Sequence, residues 1–289
     1  MYNKLIFFSH VHAGDVFESK EFVRDIYPQV SAKECYYTHG QDQRVFLDIP
    51  YIKQTAEFLH HMSPGTATLD INGDFWINTW IGRTGKYVLP GSGCVIEMLY
   101  KMYQDMNFKL RPDIYSYIPE VDFRCYKRDG ILDNLQTVEG KNKVLICSGL
   151  VHSAQAENFD FSPIVQRLAD NFPSVVFYYT SQLSLQSRNN LFYTRTIIGD
   201  LSSDLNEIGY LSTFCDLIVG RCSGPHVFTM HKTNCLDSSK AFLSFTHTQE
   251  NSHFVLSDGL PMKKYWSTVS NADEVYNKIV EVMRERNIV

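Results

Sequence analysis

The chain has 289 residues, more than one hydrophobic core usually takes, so two domains are expected. It is 44% hydrophobic and 20% charged, an ordinary globular composition that excludes collagen-like, coiled-coil and disordered classes. The net charge is -5 and no block of lysine or arginine occurs, which excludes nucleic acid as a main partner. No apolar run reaches membrane-spanning length, and Leu5 to Phe8 is too short for a signal peptide. The seven cysteines (35, 94, 125, 147, 215, 222 and 235) are odd in number and form no C-x-x-C pair. Reduced structural thiols in a cytoplasmic protein are therefore expected, with at most peripheral contact at the inner face of a membrane.

Lys4 to Ser9 reads as a first buried strand, His10 to Asp15 as the loop after it, and Val16 to Tyr27 as a helix ended by Pro28. Phe17, Phe22, Val23 and Ile26 form the apolar stripe of that helix. Cys35 to Thr38 is the expected second strand, which makes a β-loop-α-β opening of the doubly wound kind. Val45 to Tyr51 and Thr66 to Ile71 are further apolar runs. Asn72-Gly73 is a turn signal before the aromatic Phe75 to Ile81. Gly82 to Gly93 is expected to be a loop, and Cys94 to Phe108 a helix. The pattern loosens after Arg111, and 126–142 is expected to link two domains: 1–125, and 143–270 followed by a closing helix in 271–289.

The second domain opens with the strand Val144 to Cys147, a polar loop, and a helix Ser162 to Asn171. Val175 to Tyr179 and the short Ile197-Ile198 are expected strands, and Asp204 to Phe214 a helix capped by Ser202 or Ser203. Leu217 to Val219 reads as a buried parallel strand running into a polar turn between Gly220 and Gly224. Ser223 can cap a helix that starts at Pro225, so that Arg221, Ser223, Gly224, Pro225 and His226 form a candidate seat for a phosphate or diphosphate. An ordinary strand-to-helix turn is the competing reading. Ala241 to Phe245 is one more strand, and Asn271 caps a final amphipathic helix with Val275, Ile279, Val282 and Met283 on one face.

Ligands gather at the carboxyl ends of strands in such sheets, which marks two loops. In the first, Asp15 beyond Gly14 is a candidate general base, and His10 and His12 could tune it. A plain helix cap explains Asp15 as well, and a metal pair is the rival reading for the histidines. In the second, Ser148, Gly149, His152 and Ser153 offer small polar donors for phosphate or ribose, against simple loop solvation. His60 and His61 are adjacent on a helix end and share no face. No G-x-S-x-G elbow is present, which disfavours a serine hydrolase.

The run D-L-I-V-G-R-C-S-G-P-H-V-F within Leu205 to Met230 resembles the C-terminal domain of GT-B glycosyltransferases, specifically the heptosyltransferase-like family 9. The opening S-H-V-H-A-G-D-V-F-E-S-K-E-F-V-R-D-I-Y-P is similar to the same family's first strand, "L-G-D" and helix. The resemblance implies an α/β fold of two Rossmann-like domains facing across a cleft, with the final helix bracing the first domain. It implies a nucleotide diphosphate-sugar donor on the second domain and a glycan or glycolipid acceptor on the first, near Gly14. It further implies metal-independent transfer, no cofactor beyond the donor substrate, and Asp15 as the base. Arg221-Cys222 stands where the family carries small or acidic residues, and His226 comes earlier than the family's histidine. A nucleotide-sugar epimerase or hydrolase, and a non-catalytic nucleotide-sugar-binding module, are the alternatives on this fold.

Overall fold

The computed structural model describes residues 1–10, 12–57, 67–79, 95–152, 155–249 and 259–289. The expected Gly82–Gly93 loop, His60, His61, Ser153 and Cys94 lie outside the described residues. The chain divides into two compact units, one holding Met1–Asp122, the other Phe123–His253 and Asp258–Val289.

The first unit runs β1 (Tyr2–Ser9), α1 (Ala13–Glu18), α2 (Lys20–Ile26), β2 (Ala32–His39), β3 (Lys53–Thr55), β4 (Thr68–Ile71), β5 (Asp74–Asn78) and α3 (Val95–Asp105). Its five-stranded sheet has the order β3-β2-β1-β5-β4, parallel except for β4. Leu5, Ile6, Phe7 and Phe8 are all fully buried, which is why β1 carries four successive apolar residues rather than an alternation. Asn72 and Gly73 take φ values of 55° and 78°, the two positive angles that a two-residue hairpin turn between β4 and β5 needs.

The helix expected over Val16–Tyr27 begins earlier and is divided at Ser19. The Ser19 hydroxyl turns back to the Val16 carbonyl at 2.7 Å, a local bond that competes with regular helix, and also meets the Tyr37 hydroxyl at 2.9 Å. Pro28 lies inside a 3-10 turn, Tyr27–Gln29, rather than just beyond a helix. α2 carries a charge cluster that hydrophobic periodicity does not reveal. Lys20 Nζ lies 2.7 Å from Asp48 Oδ1 with both side chains fully buried. Arg24 bridges Asp48 and Glu21, and Arg111 meets Asp25 at 2.9 Å. Burial pulls the Lys20 ammonium down to about 8, against the opposing pull of Asp48.

The second unit runs α4 (Asp129–Thr137), β6 (Lys143–Cys147), α5 (Ser162–Asn171), β7 (Val176–Tyr179), β8 (Leu191–Tyr193), α6 (Thr194–Ile198), α7 (Leu205–Ser212), β9 (Leu217–Gly220), α8 (Gly224–Phe228), α9 (Lys232–Cys235), β10 (Ala241–Phe245), β11 (Lys263–Ser267) and α10 (Ala272–Glu285). All six strands are parallel, in the order β11-β10-β9-β6-β7-β8. α5 and α10 pack into one core, where Val275, Ile279, Val282 and Met283 meet Ile164, Val165 and Leu168. The apolar stripe of the closing helix is thus spent in the second unit's own core. Asn271 Oδ1 caps α10 by accepting from the Asp273 and Glu274 amides.

Several expectations for this unit need correction. The stretch 126–142, expected as a linker, carries α4, and Ile131 on it is buried. Gly130 makes that packing feasible, since a Cβ there would lie 2.1 Å from the Ile197 carbonyl oxygen. Ile197-Ile198 is the end of α6 and not a strand; the chain leaves it at Gly199, whose φ of 95° favours glycine. α7 begins after Asp204 rather than after Ser202 or Ser203. The edge strands β8 and β11 are additions that the sequence reading missed.

Removing one partner of a fully buried ion pair strands the other charge. Asp48→Asn is therefore expected to lower unfolding free energy by about 3–5 kcal/mol in urea denaturation. A loss under about 1 kcal/mol would show that Lys20 is not held as a buried cation.

Candidate functional site

Where two adjacent parallel strands send their following segments to opposite sides, ligands bind at the crevice this opens. In the second unit the pair is β6 and β9: β6 continues through α5 to β7 on one side, and β9 continues to β10 on the other. Ser148, Gly149 and His152 follow β6, and Arg221 and Ser223 follow β9. In the first unit His10, His12, Gly14 and Asp15 follow the carboxyl end of β1, the central strand of its sheet.

Arg221 organises the second of these places. Its side chain is 1% exposed. Nη1 donates to the Phe159 carbonyl at 2.6 Å, and Nη2 donates to both the Ser148 and Gly149 carbonyls at 2.9 Å. The guanidinium lies 4.9 and 4.8 Å from the ring centres of Phe159 and Phe161, in cation-π contact with both. Burial lowers its pKa to about 10, with Asp160 opposing, so it stays charged at neutral pH. Arg221, expected among the residues of a phosphate seat, thus has both terminal nitrogens on main-chain oxygens.

The loops around it are tied in turn. The Ser148 amide donates to Thr180 Oγ1, and Ser148 Oγ accepts from the Ser181 amide. Asn158 makes two 2.8 Å bonds to the Val151 main chain, and Gln155 Nε2 donates to the Cys222 carbonyl at 2.7 Å. A cavity of about 600 Å³ opens here, with Ser148, His152, Phe159, Asp160, Gln182 and Arg221 among its lining. Asn158, Phe159, Asp160, Phe161, Ser181 and Gln182 were not foreseen; the F-D-F triplet just before a helix was the available signal.

The turn after β9 departs from expectation in three ways. α8 spans only five residues, so it brings little macrodipole. Ser223 stands at the N-cap without a side-chain cap bond; its Oγ is buried, has no hydrogen-bond partner among the described residues, and faces Gly149. His226 is fully buried, with its ring 6.1 Å from that of Phe242 and pressed on Gly220, so it does not line the cavity. Cys222 takes a left-handed φ of 52°, which is costly for a residue with a Cβ. α8 opens at Gly224, one residue before the expected start at Pro225.

In the first unit, Asp15 lies in the first turn of α1, half-buried, with His12 at the N-cap and Gly14 buried beside it. His10 and His12 are exposed, and the His10 ring sits edge-on to Phe8 at 5.8 Å. Behind Asp15, the Tyr37 hydroxyl meets Ser19 Oγ at 2.9 Å and Thr79 Oγ1 at 2.6 Å. Thr79 is fastened to the Phe8 carbonyl through both its amide and its hydroxyl. Burial raises the Tyr37 pKa, and the Asp15 charge raises it further. This polar cluster bolts the end of β1 to β2 and β5 and holds the C-terminal end of α1 through Ser19.

Gly220 is the position where the turn leaves least room. A Cβ there would come within 2.8 Å of the His226 ring and 3.0 Å of Cys147 Cβ. Gly220→Ala is expected to lower stability by about 1–3 kcal/mol, read as a fall in thermal midpoint. An unchanged midpoint would mean that the β9–α8 turn is not held this tightly.

No protein-family model and no curated protein sequence matches the chain. Solved structures do. A glycosyl transferase family 9 protein from Veillonella parvula aligns with a TM-score of 0.55 at 9% identity, covering 98% of this chain and 89% of that one. The E. coli heptosyltransferase WaaC, solved with ADP, aligns at 0.51 and 8%, covering 98% and 99%. A putative UDP-N-acetylglucosamine 2-epimerase from Listeria monocytogenes aligns at 0.50 and 9%, covering 100% and 89%. The chain is therefore structurally similar, over nearly its whole length, to GT-B glycosyltransferases of family 9, and its two Rossmann-like α/β units are those of the GT-B fold.

Proposed function

We propose that the protein is a glycosyltransferase that moves a sugar from a nucleotide diphosphate-sugar to a hydroxyl of a glycan or glycolipid. The observation that carries this reading is the placement of polar residues on the GT-B frame. The second unit holds its own at the switch point of its sheet, where this architecture receives ligands, and the first unit holds its own at the carboxyl end of β1. The second unit adds a buried cation beside an open cavity, which suits a negatively charged leaving group. The WaaC structure contains ADP, and the same class of ligand is what we assign to this cavity.

Asp15 takes the proton of the acceptor hydroxyl. The freed oxygen bonds to the sugar's anomeric carbon as that carbon's bond to the diphosphate breaks, and the electron pair leaves on the phosphate. His10 and His12, exposed beside Asp15, are placed to pass the proton on. The buried Arg221 charge supplies the counter-field for the leaving diphosphate, so this scheme calls for no metal ion. The likeness to the putative epimerase keeps a second reading, nucleotide-sugar epimerisation or hydrolysis, in which donor is consumed with no acceptor present. The donor sugar and the acceptor are not specified by these residues.

A nucleotide-sugar that binds the native state raises its stability by mass action, by about 2.7 kcal/mol at a hundredfold excess over Kd. ADP- and UDP-sugars screened by thermal shift should yield one such ligand. Asp15→Asn should then leave that shift in place while lowering transfer kcat about 10²–10⁴-fold. Full transfer activity in Asp15→Asn would remove the base assignment, and donor turnover without acceptor would favour the epimerase reading.

A further inference from the structure

Arg221 does something more specific than lend charge. Its Nη2 draws in two successive carbonyls, those of Ser148 and Gly149. In an extended chain successive carbonyls face opposite sides; here both converge on one nitrogen. A trans peptide is planar, with its N–H directed opposite its C=O. The Ser148 carbonyl shares its peptide with the Gly149 amide, and the Gly149 carbonyl shares its peptide with the Leu150 amide. Both N–H groups therefore point away from the guanidinium, on the far side of the loop.

Neither amide has a hydrogen-bond partner among the described residues, although the amides on either side do: Ser148 donates to Thr180 and Val151 to Asn158. Leu150 is 60% exposed, so this face of the loop is open. Next to it is a niche left by the missing side chain of Gly149. A Cβ there would meet Ser181 Oγ at 3.5 Å, Ser223 Oγ at 3.6 Å and Pro225 Cγ at 3.7 Å. Ser223 is only 6% exposed, and its Oγ has no hydrogen-bond partner among the described residues.

We propose that Arg221 is a positioning residue that sets the Gly149 and Leu150 amides as a two-donor seat for a phosphoryl oxygen, with the Ser223 hydroxyl as a third donor. The guanidinium lies behind the two peptides and their positive ends face outward, so charge and dipoles favour an anion at the same point. This rests on the proposed use of a nucleotide diphosphate and specifies what holds it. It also places the anion between the loop after β6 and the N-cap of the short α8, rather than at α8 alone.

The test is amide NMR of the whole protein titrated with inorganic pyrophosphate, ADP and UDP. The Gly149 and Leu150 amide resonances should shift saturably, and more than those of Gly224 and His226. Gly149→Ala fits at ordinary contact distances, so it should keep the wild-type thermal midpoint while filling the niche. Its Kd for pyrophosphate should rise about tenfold or more, as loss of a hydrogen bond to a charged group predicts. Arg221→Lys keeps a charge but lacks the fork that bridges two carbonyls; it should blunt the response of both amides. Should Arg221→Lys fail to fold, wild-type mapping and Gly149→Ala decide. Nucleotide binding with both amides unmoved, or wild-type affinity in Gly149→Ala, overturns this inference and leaves the proposed function standing. Absence of binding by all three probes overturns both.

Discussion

The second unit is organised around a guanidinium that has been taken out of water with, among the described residues, no carboxylate in hydrogen-bond contact. Burying a lone cation is expensive, and Arg221 offsets that cost with three main-chain carbonyls and two aromatic faces. Those carbonyls belong to the two ends of the connection between β6 and α5, Ser148–Gly149 and Phe159, while the arginine itself follows β9. One side chain thus fixes both ends of that connection against the turn after β9. The arrangement also explains why the turn after β9 tolerates a left-handed Cys222: the carbonyl of Cys222 is held by Gln155, and its neighbour Arg221 cannot move without releasing the loops.

The first unit reaches a fixed geometry at its own strand ends by different means. There a chain of hydroxyls, Ser19, Tyr37 and Thr79, joins three elements and ends on the Phe8 carbonyl. The Lys20–Asp48 pair secures α2 from beneath. Asp15 stands in the first turn of the preceding helix, so its backbone position is set by groups that are themselves buried and bonded. A carboxylate on such a support is better placed for proton transfer than one on a free loop.

What was legible in the sequence was what local pattern determines. β1, β6, β9 and β10 are continuous apolar runs because parallel strands are covered on both faces. α5 matched its expected limits, Ser162–Asn171, through its apolar stripe and the proline in its first turn. The misses come from long-range contacts. Thr194–Ile198 is β-branched, yet it is helical where it lies against Gly130. β8 and β11 are edge strands of three and five residues, too short and too mixed to register as buried runs. The site followed the same rule: motif and topology located Ser148, Gly149, Arg221 and Ser223, but not the direction in which Arg221 points. That direction is set by Phe159 and Phe161, about sixty residues earlier, and the burial of His226 depends on Phe242, on the next strand.

The central claim is that the loop after β6, braced from behind by Arg221, receives the diphosphate of a nucleotide. A crystal structure of the protein grown with ADP or UDP tests it most directly. The account predicts a phosphoryl oxygen within hydrogen-bond distance of the Gly149 and Leu150 amides, with Arg221 still on the Ser148 and Gly149 carbonyls. A diphosphate seated instead against residues of the first unit, or at α8 with the Gly149 and Leu150 amides left to solvent, would contradict it.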